Sequence, residues 1–214
     1  MIYESLEIKD EYFDLTNQLI KRLERRDLLK KDKLVIGVCG ESGSGKSVTA
    51  ICLQKELERQ NIPAVILHQD SYYKLPPKEN HAKRKADISW VGYNEVKFDL
   101  IRSNIEAFRA HADKLTVPVV DYEKNIFLER EVDIKDTLVL IVEGVYAFII
   151  DEFDYKIFMA RNYKDTLENR KKRTRETYDP FVEKVLQIEH SLISPFKEKA
   201  DAVITNDYKL MDEA

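Results

Sequence analysis

The 214 residues carry 43% hydrophobic side chains, enough for one sizeable core, and 35 Lys and Arg against 39 Asp and Glu leave a net charge of −4. That balance argues against a generic nucleic-acid binder. No apolar run approaches the roughly 18 to 20 residues that cross a bilayer, and the acid-bearing start MIYESLEIKDEYF has no apolar core of a secretory signal, so no membrane partner is expected.

Residues Glu4 to Lys31 set Leu15, Leu19 and Leu23 at helical spacing with Leu6, Tyr12, Phe13 and Ile20, so an amphipathic helix is expected within 1–32, ahead of a domain over 33–214. Leu34 to Cys39 is short, apolar and bounded by charge and Gly, as a buried strand is. Lys46 to Gln60 reads as a helix and Ala64 to His68 as a second strand. Residues Asp70 to Gly92 are polar, aromatic and proline-bearing, with the basic run HAKRK at His81 to Lys85. They read as a long functional loop, part of an acceptor-binding insertion over about 70–97, with HAKRK solvated. Phe98 to His111 is an expected helix, Leu115 to Val120 a strand, and the charged stretch after it a small hairpin. Thr137 to Gly144 is the most apolar strand and is expected at the centre of the sheet. Tyr155 to Met159 is a further strand, Tyr163 to Thr177 a very basic helix, Phe181 to Glu198 another helix, and Ala202 to Thr205 the closing strand. Cys39 and Cys52 lie in apolar segments, which suits small buried hydrophobes in a reducing cytoplasm and neither a disulfide nor a metal site.

GESGSGKS, Gly40 to Ser47, fits the phosphate-binding pattern G-x-x-x-x-G-K-[ST] without mismatch. A chance match somewhere in such a chain has a probability of roughly one in a hundred from background composition. Gly lets the backbone wrap phosphate oxygens, and the helix that follows aims its positive end at them. The Lys46 ammonium neutralises phosphate charge, and the Ser47 hydroxyl is an expected Mg²⁺ ligand. The expected nucleotide cradle is Gly40, Glu41, Ser42, Gly43, Ser44, Gly45, Lys46, Ser47 and Val48. Strands alternating with helices around this motif predict an α/β fold. It is the three-layer sandwich of P-loop NTPases, a mostly parallel sheet of about five strands with helices on both faces.

Active-site residues of parallel sheets gather at the carboxyl ends of strands. Asp70 follows the second strand, where it can accept a proton from an attacking hydroxyl, bind Mg²⁺, or merely cap its own loop. Glu143 ends the apolar strand, the place of a metal-supporting acid. Arg161, Arg170, Lys171, Lys172, Arg173 and Arg175 form a basic cluster over about 161–180. It reads either as a phosphate-clamping lid or as a solvated face pairing with nearby acids. Tyr72, Tyr73, Trp90 and Tyr93 wall a substrate pocket or form the private core of the loop. The four His have no metal-ligand spacing.

The order GESGSGKS, QDSYYK, VPVVDYE, IVEGVYAF, an Arg-rich helix and PFKEKADAVITN resembles the uridine kinase and phosphoribulokinase family from about Leu34 to Asn206. The resemblance implies MgATP-dependent phosphorylation of a small-molecule hydroxyl. Asp70 would be the general base, Glu143 would support Mg²⁺ and substrate, and Arg170 and Arg173 would be lid arginines. The family's uridine members have a Tyr in P-V-Y-D and a His a few residues later. Here Val120, followed by Asp121, and Asn125 take those places, and SWVGYNEVKF replaces DHPxAF. The implied acceptor side, Tyr72, Tyr93, Asp121 and Asn125, is therefore altered. Family precedent and the N-terminal helix allow a homo-oligomer. Two other classes stay open, a regulatory nucleotide-binding ATPase and a degenerate kinase acting as a binding protein.

Overall fold

The computed structural model describes residues 10–167 and 180–211. One parallel sheet has the spatial order β2 (Ala64–His68), β5 (Val139–Gly144), β1 (Leu34–Gly40), β6 (Tyr155–Met159) and β7 (Ala202–Ile204). Two further strands, β3 (Lys114–Asp121) and β4 (Ile126–Asp133), form an antiparallel hairpin outside that sheet. The helices are α1 (Asp10–Arg25), α2 (Lys46–Arg59), α3 (Pro77–Ala86), α4 (Phe98–Arg109) and α5 (Pro180–Ile193).

Strand β1 is buried at all seven positions, because a central parallel strand is covered on both faces. Its side chains alternate between two cores. Ile36 and Val38 pack in the cluster that holds Leu15, Leu19 and Leu23 of α1 and Leu53 and Leu57 of α2. Val35 and Cys39 pack in the other, with Ile101, Ile105 and Phe108 of α4 and with Phe148. The result is the predicted three-layer sandwich. Helix α1 covers one face of the sheet instead of projecting from it.

Three expectations change. The central strand is β1, not the apolar β5, which lies between β1 and β2. Both strands are wholly buried, so apolarity does not rank them. The stretch from Asp70 to Gly92 is not a plain loop. It holds α3 between short 3₁₀ turns at Gln69–Tyr72 and Ile88–Trp90, and the basic run lies on α3. The helix expected to reach Glu198 ends at Ile193 and tightens into a 3₁₀ turn over Ser194–Lys199, where Pro195 removes a helical N–H.

Because Leu19 is fully buried between α1 and the sheet, Leu19→Ala is expected to destabilise the protein by about 2–5 kcal/mol. The exposed Leu128→Ala is expected to change stability by less than about 0.5 kcal/mol. Urea unfolding of the two variants checks the pair.

Candidate active site

The loop between β1 and α2 turns on Gly43 and Gly45, whose φ values of 77° and 101° disfavour any side chain. A Cβ on Gly45 would also lie 2.9 Å from the Tyr208 ring. The first N–H groups of α2 have no intrahelical acceptor, so they face the loop's concavity as anion donors. Lys46 Nζ donates to the Glu41 carbonyl at 3.0 Å, and the Ser44 hydroxyl is buried without a partner among the described residues. Val48 instead lies on another face of α2, packed with Tyr12 and Cys52.

Distant residues hold this loop. The Glu41 carboxylate accepts from the Tyr163 N–H, and its other oxygen lies 2.5 Å from His190 Nδ1 on α5. Thr166 Oγ1 donates to the Ser42 carbonyl at 2.9 Å. Just before Tyr163, Arg161 hydrogen-bonds the Tyr208 hydroxyl and packs its guanidinium 4.5 Å from that ring's centroid.

The parallel register brings the acids to the same end. His68 pairs with Glu143 across β2 and β5, and Val38 pairs with Glu143 across β1 and β5. Glu143 Oε1 is 2.7 Å from His68 Nδ1 and accepts from Ser47 Oγ at 3.2 Å. Burial pushes the Glu143 carboxyl up, but the hydrogen bond and charge of His68, with Lys46 and Ser47, outweigh it and leave it below the ordinary carboxylate range. Asp70, in the 3₁₀ turn after β2, faces the same space.

That space is a cleft of about 770 Å³ running from Ser42, Gly43, Lys46 and Ser47, past Asp70 and Glu143, to α3, α5 and the β3–β4 hairpin. On its far wall Arg84 forms a forked pair with Glu95, Nε to Oε2 at 2.6 Å and Nη2 to Oε1 at 3.0 Å. The same Nη2 reaches Glu189 Oε1 at 3.2 Å. The basic run is thus only partly solvated: Arg84 turns inward while His81, Lys83 and Lys85 stay exposed.

The expected acceptor residues divide. Asn125 lines the cleft and ties the hairpin to α3, accepting from Lys78 N–H at 2.8 Å and donating to Glu79 Oε2 at 2.5 Å. Tyr73 also lines it. Tyr72 is buried in the core, where its hydroxyl accepts from Asn104 at 2.8 Å, and Tyr93 packs edge-on against Tyr146 and donates to the Leu192 carbonyl. Asp121 caps its own turn at Lys124 N–H. Trp90 donates to Asn80. Arg170 and Arg173 lie outside the described residues. The sequence reading missed His68, Arg84, Glu189 and His190. Glu189 carried a signal: it is a charge on the stripe Val182, Val185, Leu186 that otherwise reads as an apolar helix face.

The donor set fits a triphosphate with Mg²⁺. An orphaned Ser44 hydroxyl, a left-handed glycine cradle and the hard oxygens of Ser47 and Glu143 suit phosphate and a cation that takes few protein ligands. No cluster of three or more His, Cys, Asp or Glu able to hold a metal occurs among the described residues, nor any helix long and apolar enough to cross a membrane.

A family model, Phosphoribulokinase / Uridine kinase family, matches residues 35–206. A uridine kinase of Ureaplasma urealyticum serovar 10 is 29% identical over 173 residues, covering 79% of this chain and 82% of that protein. A solved phosphoribulokinase from Rhodobacter spheroides superposes with a TM-score of 0.61 at 16% identity, covering 81% of this chain and 70% of that one. D-glycerate 3-kinase from Cryptococcus neoformans var. grubii does so at 0.58 and 12% identity, covering 94% and 97%.

The His68 contact sets the charge state of Glu143. A lowered carboxyl pKa stabilises the fold above the unfolded-state value, and that contribution is lost as pH falls through the folded value. In His68→Phe the burial remains and the countering partner is gone. The Glu143 titration, followed by carboxyl-carbon NMR, is therefore expected to move upward in His68→Phe.

Proposed function

This chain belongs to the phosphoribulokinase and uridine kinase family, whose members are phosphotransferases acting on hydroxyl groups, and on that premise we propose that it phosphorylates a small-molecule hydroxyl with MgATP. The observation that carries the reading is one continuous cleft bounded by Lys46, Ser47, Asp70 and Glu143. The loop from Gly40 to Ser47 binds the triphosphate through its N–H groups, and Lys46 leaves the Glu41 carbonyl to neutralise the β and γ phosphates. Ser47 and Glu143 are the residues that would hold Mg²⁺, which when bound supplies charge neutralisation at the phosphates. Asp70, lining the same cleft, orients the acceptor hydroxyl and takes its proton as the oxygen attacks the γ-phosphorus and the bond from that phosphorus to the leaving ADP oxygen breaks. Arg170 and Arg173, outside the described residues, are the lid arginines that the family pattern implies, and would supply positive charge to the transferred group.

The acceptor side is this chain's own. Asn125 is spent on α3, and Val120 offers the cleft no phenol, its N–H donating to Ser71 Oγ at 3.3 Å. The acceptor is a nucleoside, sugar or related metabolite read by a different set of side chains.

Asp70→Asn keeps the shape and removes the proton acceptor. It is expected to lower kcat for acceptor-dependent ADP release by about 10²–10⁴, with the KM for ATP within threefold. A loss of less than tenfold would reject Asp70 as the base. ADP release at the same rate with and without every candidate acceptor would instead reveal an ATPase or switch.

A further inference from the structure

The far wall of the cleft contains two buried glutamates in very different states. Glu95 is fully buried and saturated: its two oxygens accept from Asn80 Nδ2, twice from Arg84 and from the Gly92 N–H, at 2.5 to 3.0 Å. A carboxylate has about four acceptor positions. Glu95 fills all of them and pins α3 to the turn that follows it.

Glu189 has the same chemistry and 7% side-chain exposure, yet accepts a single hydrogen bond among the described residues, from Arg84 at 3.2 Å. It interrupts the apolar stripe Val182, Val185 and Leu186 that α5 turns to the cleft. An apolar side chain there would pack without the cost of burying a charge. Fold stability therefore does not account for it. Close by, the buried Tyr146 hydroxyl has no hydrogen-bond partner among the described residues, and buried polar groups as a rule find one. Burial raises the Glu189 carboxyl pKa against the pull of Arg84, and Glu95 raises it further. Glu189 lines the cleft, where it also feels the charges of Lys46 and Asp70.

Charge decides what fits there. Two cations, Arg84 and Lys46, face three acids, Glu95, Glu189 and Asp70, and Lys46 belongs to the phosphate loop. The cation Lys78 belongs to the exposed rim, where solvent screens it. A phosphate or carboxylate on the acceptor would meet a deficit of positive charge at the inner wall. Neutral hydroxyls would find open acceptor positions.

We propose that Glu189, held by Arg84, is a specificity-determining residue of the acceptor site: it accepts hydrogen bonds from hydroxyls of an uncharged polyhydroxylated acceptor and turns away acceptors that carry a phosphate or carboxylate. The assignment rests on the kinase reading above.

The test is steady-state ADP release with MgATP on matched neutral and anionic probes: uridine with its 5′-monophosphate, D-fructose with fructose 6-phosphate, D-ribose with ribose 5-phosphate, and D-glycerate alone. The protein is expected to turn over a neutral probe with kcat/KM at least 100-fold above any anionic one. In Glu189→Gln, the KM for that probe is expected to rise at least tenfold, with kcat within threefold and the KM for ATP unchanged. The Glu189→Asp variant, which keeps the charge, is expected to recover part of the loss. An ADP-induced rise in melting temperature equal to that of the parent shows that the variants fold. Preference for an anionic probe, or a KM within threefold in Glu189→Gln, overturns the proposal while the kinase reading stands. ADP release with no dependence on any probe rejects the kinase reading, and this assignment with it.

Discussion

The chemistry of this protein depends on the register of β5 between its two parallel neighbours. With His68 opposite Glu143 on one side and Val38 opposite Glu143 on the other, the acid emerges where β1 gives way to the glycine loop. A slip of one residue would turn Glu143 to the other face of the sheet and leave Ser47 and His68 without their partner. The register is set by the wholly buried runs of β1 and β5, whose alternate apolar side chains fill two separate cores. Hydrophobic burial thus positions a charge that burial itself disfavours. The polar cluster around Glu143 is better explained by ligand binding than by stability, since a buried ion pair seldom outperforms apolar packing.

The donor end is equally over-determined from outside itself. Glycines allow the loop's path, but Glu41 and Ser42 are held by Tyr163, Thr166 and His190, all far along the chain. The loop is therefore preorganised by tertiary contacts and need not reorganise around a triphosphate, which is how an electrostatic site contributes most.

Much of the fold was legible because its signals are contiguous. GESGSGKS is one string, β1, β2 and β5 are unbroken apolar runs, and Leu15, Leu19 and Leu23 mark the buried face of α1. Strand order was not, since β1 and β5 are equally buried and only pairing separates them. Helix α3 hid because a single residue of it, Asn80, is buried, which leaves no apolar period to read. Lys46, Ser47, Asp70 and Glu143 were singled out from motif and strand-end logic, and the fold brings all four to one cleft. His68 with Glu143, Arg84 with Glu189 and Glu41 with His190 are 75, 105 and 149 residues apart. Each is an ordinary polar residue until the fold supplies its partner.

Two neighbours on α5 connect the ends of the cleft. Glu189 lines the cleft beside Arg84, and the next residue, His190, reaches the Glu41 carboxylate of the glycine loop. Successive side chains on a helix diverge by about 100°, so one rigid turn serves both places. On the proposed reading, a ligand that displaced that turn at one end would strain or relieve the contact at the other. Thermodynamic linkage would then make the effect mutual, donor and acceptor changing each other's affinity by one common factor.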